Sequence, residues 1–179
     1  MDVAGGALIV PRPVLVELGG RDYRIPATPA AEWMLTLLEK SWADVVPGMC
    51  EGDLEDLYEA IASGEVTTRD CELAAQDAVT AAAGVNWWSA VKLIHSATAD
   101  PAAFGELRTS GLDVATAPLG AALVALYRIY TRDKEKKDIA KVDAELARVP
   151  PGVSAVEARY DPDAAAAAFE ARFASRGGR

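Results

Sequence analysis

Thr28-Pro29-Ala30-Ala31-Glu32-Trp33-Met34-Leu35-Thr36-Leu37-Leu38-Glu39-Lys40-Ser41-Trp42-Ala43-Asp44-Val45-Val46 reads as one amphipathic helix. Threonine is suited to the cap. Proline fits the first turn, where its missing N–H would have no partner in any case. On a helical wheel Trp33, Met34, Leu35, Leu37, Leu38, Trp42, Val45 and Val46 sweep an arc of roughly 220°. Trp33 and Trp42 fall on opposite sides of it. So wide an arc demands more than one packing neighbour, which makes this the expected central helix. Pro47-Gly48 is expected to stop it.

Upstream, Val14-Leu15-Val16-Glu17-Leu18 and Arg21-Asp22-Tyr23-Arg24-Ile25 flank Gly19-Gly20. Both flanks alternate, and two glycines accept the positive φ of a tight primed turn, so a β-hairpin is predicted. Val14, Val16, Leu18, Tyr23 and Ile25 then share one face. A lone hairpin is marginal in water, so that face should lie on the helices.

Downstream, Leu54, Leu57, Tyr58 and Ile61 keep helical spacing, with Asp53 as cap and Gly64 as stop. Thr67 or Thr68 opens the next helix, with Asp70 near the capping-box position and Gly84 at its end. Asn86 can cap a helix carrying Trp87, Trp88, Val91 and Ile94. A short helical turn follows Asp100-Pro101 and runs through Arg108. From about Thr116 a long helix carries Leu119, Leu123, Leu126, Tyr127 and Tyr130. It becomes fully charged over Arg132-Asp133-Lys134-Glu135-Lys136-Lys137-Asp138, then Ile139, Val142 and Leu146 resume a thin stripe before Pro150-Pro151-Gly152. Asp161-Pro162 starts a last helical segment containing Phe169 and Phe173. The expected architecture is mainly α: a hairpin segment (1–26) packed on a compact helical bundle (27–132), then a charged helical extension (133–179), docked or mobile.

Composition narrows the function classes. The 179 residues carry 27 acidic and 18 basic side chains, a formal charge of −9. Such a chain is repelled by phosphate backbones and anionic membranes, so neither nucleic acid nor membrane is an expected partner. Cys50 and Cys71 lack metal-site or disulfide-framework spacing and suit a reducing cytoplasm. No signal peptide is expected, and the uncharged stretches are too short to cross a bilayer.

No catalytic, cofactor or metal site is expected either. His95 is the single histidine, so every scheme that needs imidazole rests on it alone. Gly5-Gly6 and Gly19-Gly20 match no phosphate-binding loop, and no serine sits in a nucleophile elbow. The aromatic residues carry more information. Trp87 lines up with Val91 and Ile94 and is expected in the core. Trp88 lines up with Lys92 and His95 on the flank. There it either covers the core edge beneath a lysine or anchors a partner, tryptophan being enriched at interface hot spots. Trp88, Lys92 and His95 are therefore the candidate partner-binding stripe.

The order of motifs carries a resemblance. Leu18-Gly19-Gly20-Arg21-Asp22-Tyr23-Arg24-Ile25-Pro26-Ala27 precedes Pro29-Ala30-Ala31-Glu32-Trp33, and Asp53-Leu54-Glu55-Asp56-Leu57-Tyr58 follows. Thr67-Thr68-Arg69-Asp70-Cys71-Glu72-Leu73 then leads to Ala81-Ala82-Ala83-Gly84-Val85-Asn86-Trp87-Trp88-Ser89-Ala90-Val91-Lys92-Leu93-Ile94. Over roughly residues 14–96 this resembles the tail assembly chaperones of long-tailed, siphovirus-type phages that infect actinobacteria. Ala147-Arg148-Val149-Pro150-Pro151-Gly152-Val153 is a weaker echo of their C-terminal halves.

The resemblance implies a protein present in the host cytoplasm during infection and absent from the mature virion. It would bind the tape-measure protein, keep that long helical chain soluble and help recruit major tail subunits. It also implies a longer, frameshifted form sharing this N-terminal sequence, with the glycine codons near Ser175-Arg176-Gly177-Gly178-Arg179 as the place to look for a slippery site. Self-association is left open. The alternative reading is a structural virion component, such as a head–tail connector or minor tail protein.

Overall fold

Gly19 and Gly20 take φ values of 60° and 72°, the paired positive φ of a primed turn, and join β1 (Val14–Leu18) to β2 (Arg21–Ile25). Val14 pairs with Ile25, Val16 with Tyr23 and Leu18 with Arg21, the register the alternation predicts. Val14, Val16, Leu18 and Ile25 are buried and Tyr23 is half-buried. Each buried aliphatic contributes about 1.5–3 kcal/mol, which a free hairpin could not gain. The computed structural model describes residues 10–52, 54–151 and 153. The fold is mainly α, with this antiparallel hairpin and eight helices among the described residues. The expected cap at Asp53 and the helical segment from Asp161 lie outside them.

The stretch 28–46 is not one helix. It forms α1 (Ala30–Glu39), breaks with extended backbone at Lys40 and Ser41, and restarts as α2 (Trp42–Met49). Apolar periodicity runs across the break, so the wheel could not reveal it. Because α2 starts only at Trp42, Pro47 sits little more than a turn inside it and forfeits one hydrogen bond; the helix ends two residues later. Thr28 is not the cap. Its hydroxyl donates to the Pro26 carbonyl, and the N-cap position falls to Pro29. The first amides of α1 are satisfied across the fold instead: Ala30 N donates to Ala117 O at 2.8 Å and Ala31 N to Val114 O at 2.9 Å.

Next come α3 (Glu55–Ser63) and α4 (Thr68–Ala83), each closed by a left-handed glycine, Gly64 and Gly84. Thr67 and Asp70 form the reciprocal capping box at the start of α4. The remaining helices are α5 (Trp87–Ala99), α6 (Pro101–Thr109), α7 (Leu119–Thr131) and α8 (Lys136–Ala147). Residues 113–117 form a turn, so α7 begins after Pro118 rather than at Thr116. The chain also turns between Arg132 and Glu135, dividing the expected long helix into α7 and α8.

The central helix is α4, not the segment 28–46: β1, α2, α5 and α7 all pack on it. Its buried face is Cys71, Ala74, Ala75, Ala78, Val79, Thr80 and Ala83. Small side chains let neighbours approach from several directions, a property that a wheel weighted towards bulky residues does not register. No helix among the described residues is long and apolar enough to cross a membrane.

Candidate partner-binding face

The turn from α4 into α5 orients the tryptophan pair. Gly84 closes α4 in the left-handed conformation, and Asn86 occupies the N-cap of α5 without a side-chain hydrogen bond. The work expected of Asn86 is done from the previous helix. Thr80 Oγ1 accepts from Trp87 N at 3.2 Å while donating to Gln76 O at 2.8 Å. Trp87 then meets Trp42 edge-to-face, with centroids 5.2 Å apart at 72°. It also meets Trp88 at 5.7 Å and 85°. Both geometries suit the aromatic quadrupole. The break at Lys40–Ser41 is what re-aims Trp42 towards this contact.

Trp87 is half-buried against the core, as expected from its alignment with Val91 and Ile94. Trp88 is the surprise. At about 100° per residue, it projects away from the direction shared by Ala90, Leu93, Ile94 and Ala97, the other buried residues of α5. Trp88 therefore lies on the outer flank, yet only 2% of it is exposed.

On that flank α8 docks through the neighbours of Trp88. Ser89 Oγ donates to Leu146 O at 2.8 Å, and Lys92 Nζ donates to Glu145 O at 2.5 Å and Arg148 O at 2.9 Å. These carbonyls belong to the last turn of α8 and the residue after it, where helix oxygens lack intrahelical partners and the helix dipole is negative. A lysine is well matched to that end. Tyr127 at α7 adds a bond to Asp143 Oδ1 at 2.7 Å, and this carboxylate holds the phenol above its ordinary pKa. Ile139, Val142 and Leu146 are half-buried, and no residue of α8 is fully buried.

Lys92 is thus engaged by a helix of the same chain, and Trp88 beside it is buried, so neither is open to a partner. His95, one turn further along the stripe, is exposed. Trp88 Nε1 is buried and has no acceptor among the described residues; Asn86 Oδ1, which lacks a donor, and Tyr130 OH are likewise buried without a partner there. An unsatisfied buried donor costs about 1–3 kcal/mol. The signal for the cover was present in the sequence as the thin stripe Ile139, Val142, Leu146. Its target was not, because Ser89 and Lys92 hold α8 by its backbone carbonyl oxygens, which no side-chain pattern singles out.

Other surface features are weaker candidates. Leu35 and Leu38 on the outer side of α1 remain 54% and 38% exposed, so the wide arc of 28–46 is only partly covered. A polar cleft of about 230 Å³ between the hairpin turn and α3 is rimmed by the exposed Arg21–Asp56 ion pair. Cys50 and Cys71 are free thiols; burial pushes Cys50 up to about 11 and raises Cys71 as well. Among the described residues, no three His, Cys, Asp or Glu side chains gather to hold a metal ion. No family model matches this chain, and no curated protein or solved structure matches it either.

Proposed function

We propose that this protein is a phage tail assembly chaperone that binds helical segments of the tape-measure protein and keeps them soluble until major tail subunits assemble around them. The observation that carries the reading is the α5 flank. Ser89 and Lys92, flanking the buried Trp88, form a seat that holds a helix in this very chain by its terminal carbonyls. Recognition by carbonyl oxygens and a short apolar stripe is tolerant of sequence, which suits a client with many similar helices. The order of motifs over residues 14–96 supports the same family, and the charge of −9 keeps such a complex dispersed.

Co-expression with a tape-measure fragment is the test. The fragment should move from the pellet to the soluble fraction and co-purify with this chain. Equal aggregation with and without the chain would sink the proposal. Mass spectrometry of purified particles separates it from a structural virion component, which would be found in them. The underlying DNA should contain a slippery heptamer with an overlapping frame that encodes the longer form.

A further inference from the structure

The geometry points to α8 as a displaceable cover, whose seat on α5 receives the C-terminal end of a partner's amphipathic helix when α8 leaves. This deepens the proposed function and rests on that reading for the natural ligand, though not for the chemistry.

Three features make α8 easy to displace. Six of its twelve residues are charged and none is fully buried, so little apolar surface holds it down. Lys136 and Lys137 occupy its first turn, where the helix dipole disfavours cations; a helix this short is marginal without its seat. The turn over 132–135 gives it a hinge that leaves α7 intact. Lys92, itself partly exposed, supplies two of the hydrogen bonds that hold it and an ion pair, with Ser89 and Tyr127 adding one bond each.

The seat also favours a better occupant. Trp88, beside Ser89 and Lys92 on α5, is 2% exposed and its indole N–H finds no acceptor among the described residues. A partner helix that ends in free carbonyls over Ser89 and Lys92, places an aliphatic side chain where Leu146 lies and brings an acceptor to Trp88 Nε1 would replace α8 with one more bond. The partner is thus defined by chemistry: an amphipathic helix with an exposed C-terminal turn and a polar acceptor beside its apolar stripe.

The test uses the full chain and a fluorescently labelled, amidated peptide of residues 135–149. In the native chain the resident α8 competes at the high effective concentration of a short tether. In the Leu146→Ser chain the seat is freed. The peptide should therefore bind the Leu146→Ser chain at least ten-fold more tightly than the native chain, and adding Lys92→Met should abolish that gain. Acrylamide quenching of tryptophan should rise in Leu146→Ser, and the rise should vanish when Trp88→Phe is added. Equal or absent peptide binding to the two chains overturns the inference. Should Leu146→Ser fail to fold, the Ser89→Ala/Lys92→Met chain replaces it: increased Trp88 quenching supports a cover, and unchanged quenching overturns it. A peptide that binds while the tape-measure fragment still aggregates supports this inference and removes the proposed function. A fragment that is solubilised while the peptide does not bind does the reverse.

Discussion

Thr80→Val removes one oxygen and keeps the shape of the side chain, so it isolates the hydrogen bonds that join α4 to α5. Thr80 is buried, with 9% of its surface exposed. Its hydroxyl is the acceptor for Trp87 N, and Asn86 supplies no side-chain cap. The bond from Thr80 Oγ1 to Gln76 O is the smaller loss, since helix carbonyls of this kind already accept from the backbone. The larger loss is the Trp87 amide, whose unmet donor costs about 1–3 kcal/mol when buried, less here because Trp87 is only half-buried. Together the expected cost is about 2 kcal/mol. For a chain of this length that lowers Tm by roughly 4–8 °C. Thr80→Ser is the control: it keeps the hydroxyl and loses one methyl, worth about 0.8 kcal/mol. Urea and thermal unfolding of the three chains decide the matter. If Thr80→Ser destabilises as much as Thr80→Val, the effect is packing and the capping role is refuted. A Thr80→Val chain as stable as the native one refutes it too.

Gly19→Ala should destabilise by about 2 kcal/mol, because φ is +60° and a Cβ there would lie 2.7 Å from Val66 Cγ2. Gly20→Ala has open space around it and should cost about half as much; chemical denaturation of both reads the difference. Asp70 is held below its usual pKa of 3.8 by the Thr67 side chain and then by the Thr67 backbone. A lowered folded pKa means that its stabilisation is present above the unfolded value and is lost as pH falls through the folded one. Asp70→Asn should therefore narrow the stability gap between pH 6 and pH 2, measured by Tm against pH. Cys50, pushed up to about 11, should resist iodoacetamide at pH 8 in the folded chain and react readily in urea, with mass spectrometry counting the adducts.

Features written in adjacent residues were legible. The Gly19-Gly20 turn needs only positive φ and alternating flanks, and the Thr67–Asp70 capping box needs only residues three apart. Features satisfied across the fold were not. The N-cap work at α5 is done by Thr80 from the helix before, and α1 borrows carbonyls from Val114 and Ala117, so Asn86 and Thr28 misled. The candidate stripe was placed on the correct flank of α5, because projection angle follows from spacing alone. Whether Trp88 covers the core edge or faces a partner was left open, because burial depends on which elements return to that flank, and α8 does so through Lys92 and Ser89. The centrality of α4 escaped notice for a different reason: its alanines leave room, and hydrophobic patterning rewards bulk.

The bonds from the first amides of α1 to Ala117 O and Val114 O bear on how the chain is born. During synthesis α1 leaves the ribosome long before its acceptors exist, so its opening turn stays unsatisfied until the α6–α7 loop has been made. Closure of that end is a long-range event, costly in loop entropy and among the slower steps of assembly. A chain that ended before residue 114 would lack both carbonyls that close the first turn of α1.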